Sequence, residues 1–254
     1  MKSSNIFDQL LHSFAFPFKD PEWVKKIAIG FGLSLAVFIV PIVPTLIIAG
    51  YGKRIMQRII IENGDPYLPE WEDWGRLLSD GLKLWGAGII YSLPVLLLLM
   101  IFLGMMMISL LSPLFFIRSN GTFAPEATFT FFAGIALSIL FLFLLTILSF
   151  AINLFQAPAT THVVAKDRFS AAFQVKEWWP ILKKGLGAFV VAILMIMVFS
   201  WAGMMAIQIL NLTIILIVLY PFLLGFFMFF TLLYSYTFNA LAYREGARRL
   251  AEEN

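Results

Sequence analysis

Four stretches of this chain contain no Asp, Glu, Lys or Arg: residues 27–52, 84–117, 127–161 and 185–243. A helix that crosses a bilayer needs about 20 consecutive, mostly apolar residues. The first three runs each have room for one such span, and the fourth has room for two. A helix on the surface of a soluble protein keeps a polar face toward water and does not stay uncharged for so long. Composition agrees: 61% of the residues are hydrophobic and 13% are charged, against about 25% charged in ordinary soluble domains. A soluble fold of this size has too little interior to hide that much apolar side chain. The expected class is therefore all-α, a polytopic integral membrane helix bundle.

The first run contains Pro41 and Pro44. Two prolines three apart break or sharply bend a helix. Residues 27–52 are then either one kinked span or a hairpin of two short membrane helices. The distribution of basic residues favours the hairpin, because loops on the cytoplasmic side collect Lys and Arg. With a hairpin, and with spans at 84–112, 129–155, 185–207 and 212–240, all 18 Lys and Arg residues except Arg118 fall on one side. This predicts about six membrane helices in the cell membrane, the first two short, with both termini cytoplasmic. The first hydrophobic run is expected to remain as an uncleaved anchor, since residues 1–26 carry acids and prolines and lack a cleavage pattern.

The chain divides into an N-terminal interfacial arm, residues 1–26, and a transmembrane domain, residues 27–254, with cytoplasmic interfacial segments at 62–83 and 162–184. In the arm, Phe7, Leu10, Leu11, Phe14 and Phe18 recur every three or four residues, as on one face of a helix lying in the membrane plane. In the first interfacial segment, Asn63-Gly64 and Asp65-Pro66 signal turns. Pro69, Glu70, Trp71, Asp73 and Trp74 then head an amphipathic stretch, with acids at a helix start and two tryptophans on one face. In the second, Trp178 and Trp179 precede Pro180, which is expected to turn the chain, and Lys183 and Lys184 anchor the next span. These residues are the candidates for interfacial anchoring or docking. Glu22-Trp23 through Lys26 and Trp179-Pro180 through Lys184 match loosely, each before a Gly-x-Gly, and suggest an internal repeat.

Chemistry is sparse. The chain has no cysteine, which removes thiolate nucleophiles and thiolate metal sites. No ionisable group lies at mid-membrane depth, where proton relays and ion-coupled carriers need one. The two histidines, His12 and His162, belong to no metal-binding pattern, and no glycine loop follows a phosphate-binding pattern. No catalytic, cofactor-binding or metal-ligating residue is assigned, and no enzyme activity is expected. The polar candidates inside the membrane are Asn153 and Gln156, three apart on one face, where interhelical hydrogen bonding is the plain reading. Together with the Pro41–Pro44 break, where a broken helix can expose its backbone to a site, they are the only hint of a solute pathway.

Several short motifs carry a resemblance. They are Gly50-Tyr51-Gly52-Lys53-Arg54, Asp65-Pro66, Leu68-Pro69-Glu70-Trp71, Asp73-Trp74-Gly75, Asp80-Gly81-Leu82-Lys83 and Tyr91-x-x-Pro94. Phe16, Asp20, Trp23, Lys26 and Gly30 extend them toward the N-terminus. The pattern resembles the membrane protein family DUF4013, found mainly in archaea and some bacteria. The resemblance implies a polytopic membrane fold and carries over no activity, cofactor or ligand residue. The expected function is that of a scaffold, an accessory subunit or a lipid-interacting protein, with transport of a small neutral or lipid-like solute as the alternative. The expected partners are membrane lipids and a membrane protein or a second copy of the chain, and no nucleic acid.

Overall fold

The computed structural model describes residues 5–115, 125–211 and 218–253. These residues are mostly helical, with no strand among them. The helices are α1 (Ile6–His12), α2 (Trp23–Ala36), α3 (Ile42–Ile60), α4 (Trp74–Phe115), α5 (Pro125–Lys166), α6 (Val175–Asn211) and α7 (Tyr220–Ala251). Short 3-10 turns occupy Ser13–Lys19 and Phe169–Phe173. Arg118 and the expected start of the last span at 212 lie outside the described residues.

Among the described residues, four helices are long and apolar enough to cross a membrane: Trp74–Leu111, Thr128–Lys166, Val175–Ile209 and Tyr220–Ala251. The other two of the six expected membrane helices, α2 and α3, are not among these four. The hairpin does form, with α2 ending at Ala36 and α3 beginning at Ile42. However, α2 has only 14 residues, or about 21 Å at 1.5 Å per residue, against a hydrocarbon core of about 30 Å. Helix α3 has 19 residues, but its second half carries Lys53, Arg54 and Arg58.

The chain forms two compact units, Met1–Gly88 with Leu154–Asn254, and Ile89–Asn153. In the first, α7 is central and packs against α6, α3 and α2. Three tryptophans stand seven residues before a glycine on which a neighbouring helix closes. Trp23 precedes Gly30, which faces the Phe229 ring; Trp74 precedes Gly81, which faces the α3 backbone; Trp178 precedes Gly185, which faces Gly246. The second unit is the distal part of α4 and α5. There Ser109 Oγ donates to the Phe131 carbonyl at 2.9 Å, and Phe102 and Phe141 stack at 6.4 Å. Most of its apolar side chains, Met100, Ile108 and Phe143 among them, point outward, as a lipid-facing surface requires.

Three local expectations are corrected. Residues 62–73 contain no helix, and α4 starts only at Trp74. Asn63 and Asp73 sit at φ 52° and 53°, a left-handed conformation that ends helical propagation. Pro180 does not turn the chain: it lies inside α6, in its second turn. The N-terminal arm is docked on the protein rather than laid out along one apolar face. Leu10 is buried, and Phe14 meets Tyr234 and Phe238 edge-on at 4.8 and 5.0 Å. Of the five periodic residues, Phe7, Leu11 and Phe18 stay exposed.

Candidate functional site at the charged end of the helices

The polar side chains of the first unit gather where the apolar runs stop. Lys53 follows the last apolar turn of α3 and is 1% exposed. Its ammonium lies 2.5 Å from Asp80 of α4 and 2.5 Å from Asp167, which follows α5 at φ 49°. Lys83 approaches the same two carboxylates at 3.7 and 3.5 Å. One buried ammonium thereby ties three elements together. Helices α3 and α4 come close enough for this because they cross glycine on backbone, Gly50 against Leu77 and Gly81 against Leu46.

Hydrogen bonding from Lys53, reinforced by the charges of Lys53 and Lys83, holds the Asp167 carboxyl below its ordinary range. A carboxylate with a lowered folded pKa contributes its full stabilisation above the unfolded value of about 3.9 and loses it as pH falls through the folded value. Asp167 is 59% exposed, so the contribution is small. Asp167→Asn is expected to cost roughly 0.5–1 kcal/mol at neutral pH. In thermal unfolding of the detergent-solubilised protein, the gap to wild type should begin to narrow below about pH 4 and go on closing as the pH falls further. A gap that stays open in acid would mean that packing rather than charge is lost.

A second group surrounds Lys26. Its ammonium meets Asp20 at 2.8 Å, Glu70 at 2.6 Å and the Leu68 carbonyl at 2.9 Å. Trp71 stacks on Tyr51 at 3.8 Å, and its indole N–H donates to the Lys26 carbonyl at 2.8 Å. Tyr51 in turn donates to the Pro69 carbonyl at 2.9 Å, and Arg54 donates to the carbonyls of Glu70 and Glu72. A third group is built on His162, which is 2% exposed. One ring nitrogen lies 2.6 Å from the Tyr243 hydroxyl and the other 3.3 Å from Glu177.

The residues singled out from the sequence are therefore distributed as follows. Pro69, Glu70 and Trp71 join the Lys26 group. Asp73 marks the left-handed turn into α4, and Trp74 stacks beside Trp71 at 6.0 Å while staying half-exposed. Trp178 is buried, and its indole N–H donates to the Ala172 carbonyl at 2.9 Å. Trp179 stacks on Phe155 at 5.9 Å, Lys183 covers the Trp179 ring, and Lys184 pairs with Glu253. Asn153 donates to the Ser149 carbonyl in its own helix, and the Gln156 carbonyl accepts from Thr160. Pro41 is exposed at the hairpin tip, and Pro44 is buried in the first turn of α3.

The chain matches the family model described as "Protein of unknown function (DUF4013)" over residues 33–212. It belongs to that family. No curated protein and no solved structure matches it. The DUF4013 match takes in Lys53, Asp80, Asp167, His162 and Glu177, but stops short of Lys26 and of Tyr243. Sequence reading missed the two carboxylate partners of Lys53 and the partners of His162. The usable signal was that Tyr51, Lys53, Asp80 and Lys83 all lie in the motifs that carry the DUF4013 resemblance.

Proposed function

We propose that this DUF4013 protein is a non-catalytic multi-pass protein of the cell membrane that serves as a scaffold or accessory subunit for a membrane partner, or organises lipid around itself. Its charged end and both termini are on the cytoplasmic side. The observation that carries this reading is how the reactive side chains are used. Lys53, Asp80, His162, Tyr243, Trp71 and Tyr51 are buried and close on one another or on backbone carbonyls between elements far apart in the chain. Such groups fix the ends of the helices and form a rigid platform. A general base must reach its substrate, yet both nitrogens of His162 already have partners.

The orientation is supported by the concentration of Lys and Arg at this end and by an even number of crossing helices. The transport alternative drew on the Pro41–Pro44 break, and the exposure of Pro41 at a hairpin tip favours a lipid-facing turn over a solute passage. Native mass spectrometry of the protein released gently from its own membranes tests the proposal. A stoichiometric second protein, a second copy of the chain or a retained lipid is expected. A bare chain that drives solute flux in proteoliposomes would replace this reading with transport.

A further inference from the structure

We infer that the α2–α3 hairpin is a one-sided membrane insertion: it enters the hydrocarbon from the charged side, turns there and returns without crossing. The inference rests on the membrane reading of the four long helices and not on the scaffold role.

The tip is apolar without interruption, reading Val37-Phe38-Ile39-Val40-Pro41-Ile42-Val43-Pro44. Phe38, Ile39, Val40, Ile42 and Val43 are exposed, Ile39 by 85%. A tip that emerged on the far side would meet water and headgroups, where polar or amphipathic aromatic anchors are expected. This one carries none. The base of the hairpin does carry them: Trp23, Lys25 and Lys26 open α2, and Lys53, Arg54 and Arg58 close α3.

Length sets the depth. From Lys26 to Ile39 is 13 residues, about 20 Å of helix. That leaves the tip inside a hydrocarbon core of about 30 Å and short of its far edge.

Backbone chemistry is the third argument. In lipid, an unpaired N–H costs several kcal/mol, so a turn there must satisfy its own donors. The N–H groups of Val37, Phe38, Ile39 and Val40 all donate to carbonyls of Leu33, Leu35 or Ala36, at 2.8–3.1 Å. The start of α3 would leave four more donors unpaired, at residues 41–44. Pro41 and Pro44 remove two of them. The Thr45 hydroxyl, the nearest polar side chain, donates to the Pro41 carbonyl at 2.6 Å. The prolines thus end α2, start α3 and halve the donors that the turn would expose to hydrocarbon.

The absence of cysteine from the chain allows a direct test by single substitutions in sealed vesicles of both orientations. Ile39→Cys is expected to escape a membrane-impermeant maleimide from either side and to react once detergent is added. A nitroxide attached there should be relaxed by dissolved oxygen rather than by a hydrophilic nickel complex. Glu72→Cys reports the charged side, and Phe143→Cys, exposed along α5, reports the membrane itself. Labelling of Ile39→Cys from the side opposite Glu72→Cys would overturn the inference in favour of a crossing hairpin. Labelling from the same side would place the hairpin outside the bilayer. Reaction of Phe143→Cys in sealed vesicles would refute the membrane reading, separately from the hairpin.

Discussion

Gly81→Ala is expected to be the most damaging alanine substitution among the described glycines. A Cβ at residue 81 would lie 1.7 Å from the Leu46 carbonyl oxygen, and one at residue 50 would lie 2.0 Å from the Leu77 carbonyl oxygen. In both cases the obstacle is backbone, which cannot swing aside as a side chain can, so α3 and α4 must separate. Overpacking of this kind costs about 3 kcal/mol or more. The damage would extend to the ion cluster, because Asp80 precedes Gly81 and Lys53 lies one turn beyond Gly50. Gly75→Ala is the control: no atom lies within 4 Å of its added Cβ. Alanine also has a better helix propensity than glycine by up to about 1 kcal/mol, so this variant should be neutral or slightly stabilised. Thermal unfolding of the two variants in the same detergent separates these outcomes. Equal stability of Gly81→Ala and Gly75→Ala would show that the α3–α4 crossing is looser than described.

The all-α class and the four long helices were legible because they depend on local quantities, the length and apolarity of each run. The hairpin was legible for a similar reason, since Pro41 and Pro44 act on their own neighbours. The count was less legible where a charge-free run of 26 residues is divided between two helices: four helices are long and apolar enough to cross, and α2 and α3 are not among them. Freedom from charge measures compatibility with lipid, and does not measure how far each helix reaches before its turn. The tryptophans at 71 and 74 show the same limit. Their spacing puts them on one face of any helix, but Asp73 sits left-handed between them, and Trp71 turns inward to Tyr51 and the Lys26 carbonyl. The pairings of Lys53 with Asp167 and of His162 with Tyr243 join residues 114 and 81 apart. No local pattern records such contacts; the packing of helices makes them.

The ion cluster gives the other large effect. Lys53→Met keeps much of the aliphatic stem but removes the charge, which leaves Asp80 with a side chain only 8% exposed. Asp167 can turn back to water, so Asp80 decides the outcome. Removing one partner of a buried pair costs about 3–5 kcal/mol, mainly because the other charge stays desolvated. Lys83 and Arg76, at 3.7 and 3.8 Å from the Asp80 carboxylate, should hold the loss near the lower end. The companion variant is Lys53→Met with Asp80→Leu. Replacing both charges by apolar groups removes the stranded carboxylate, and such exchanges are often close to neutral. The double variant is therefore expected to unfold at a higher temperature than Lys53→Met alone, with Asp80→Leu acting as a rescue rather than a further injury. Losses that simply add would mean that water already reaches Asp80. The three-element tie would then be a set of independent surface contacts, each worth less than about 1 kcal/mol.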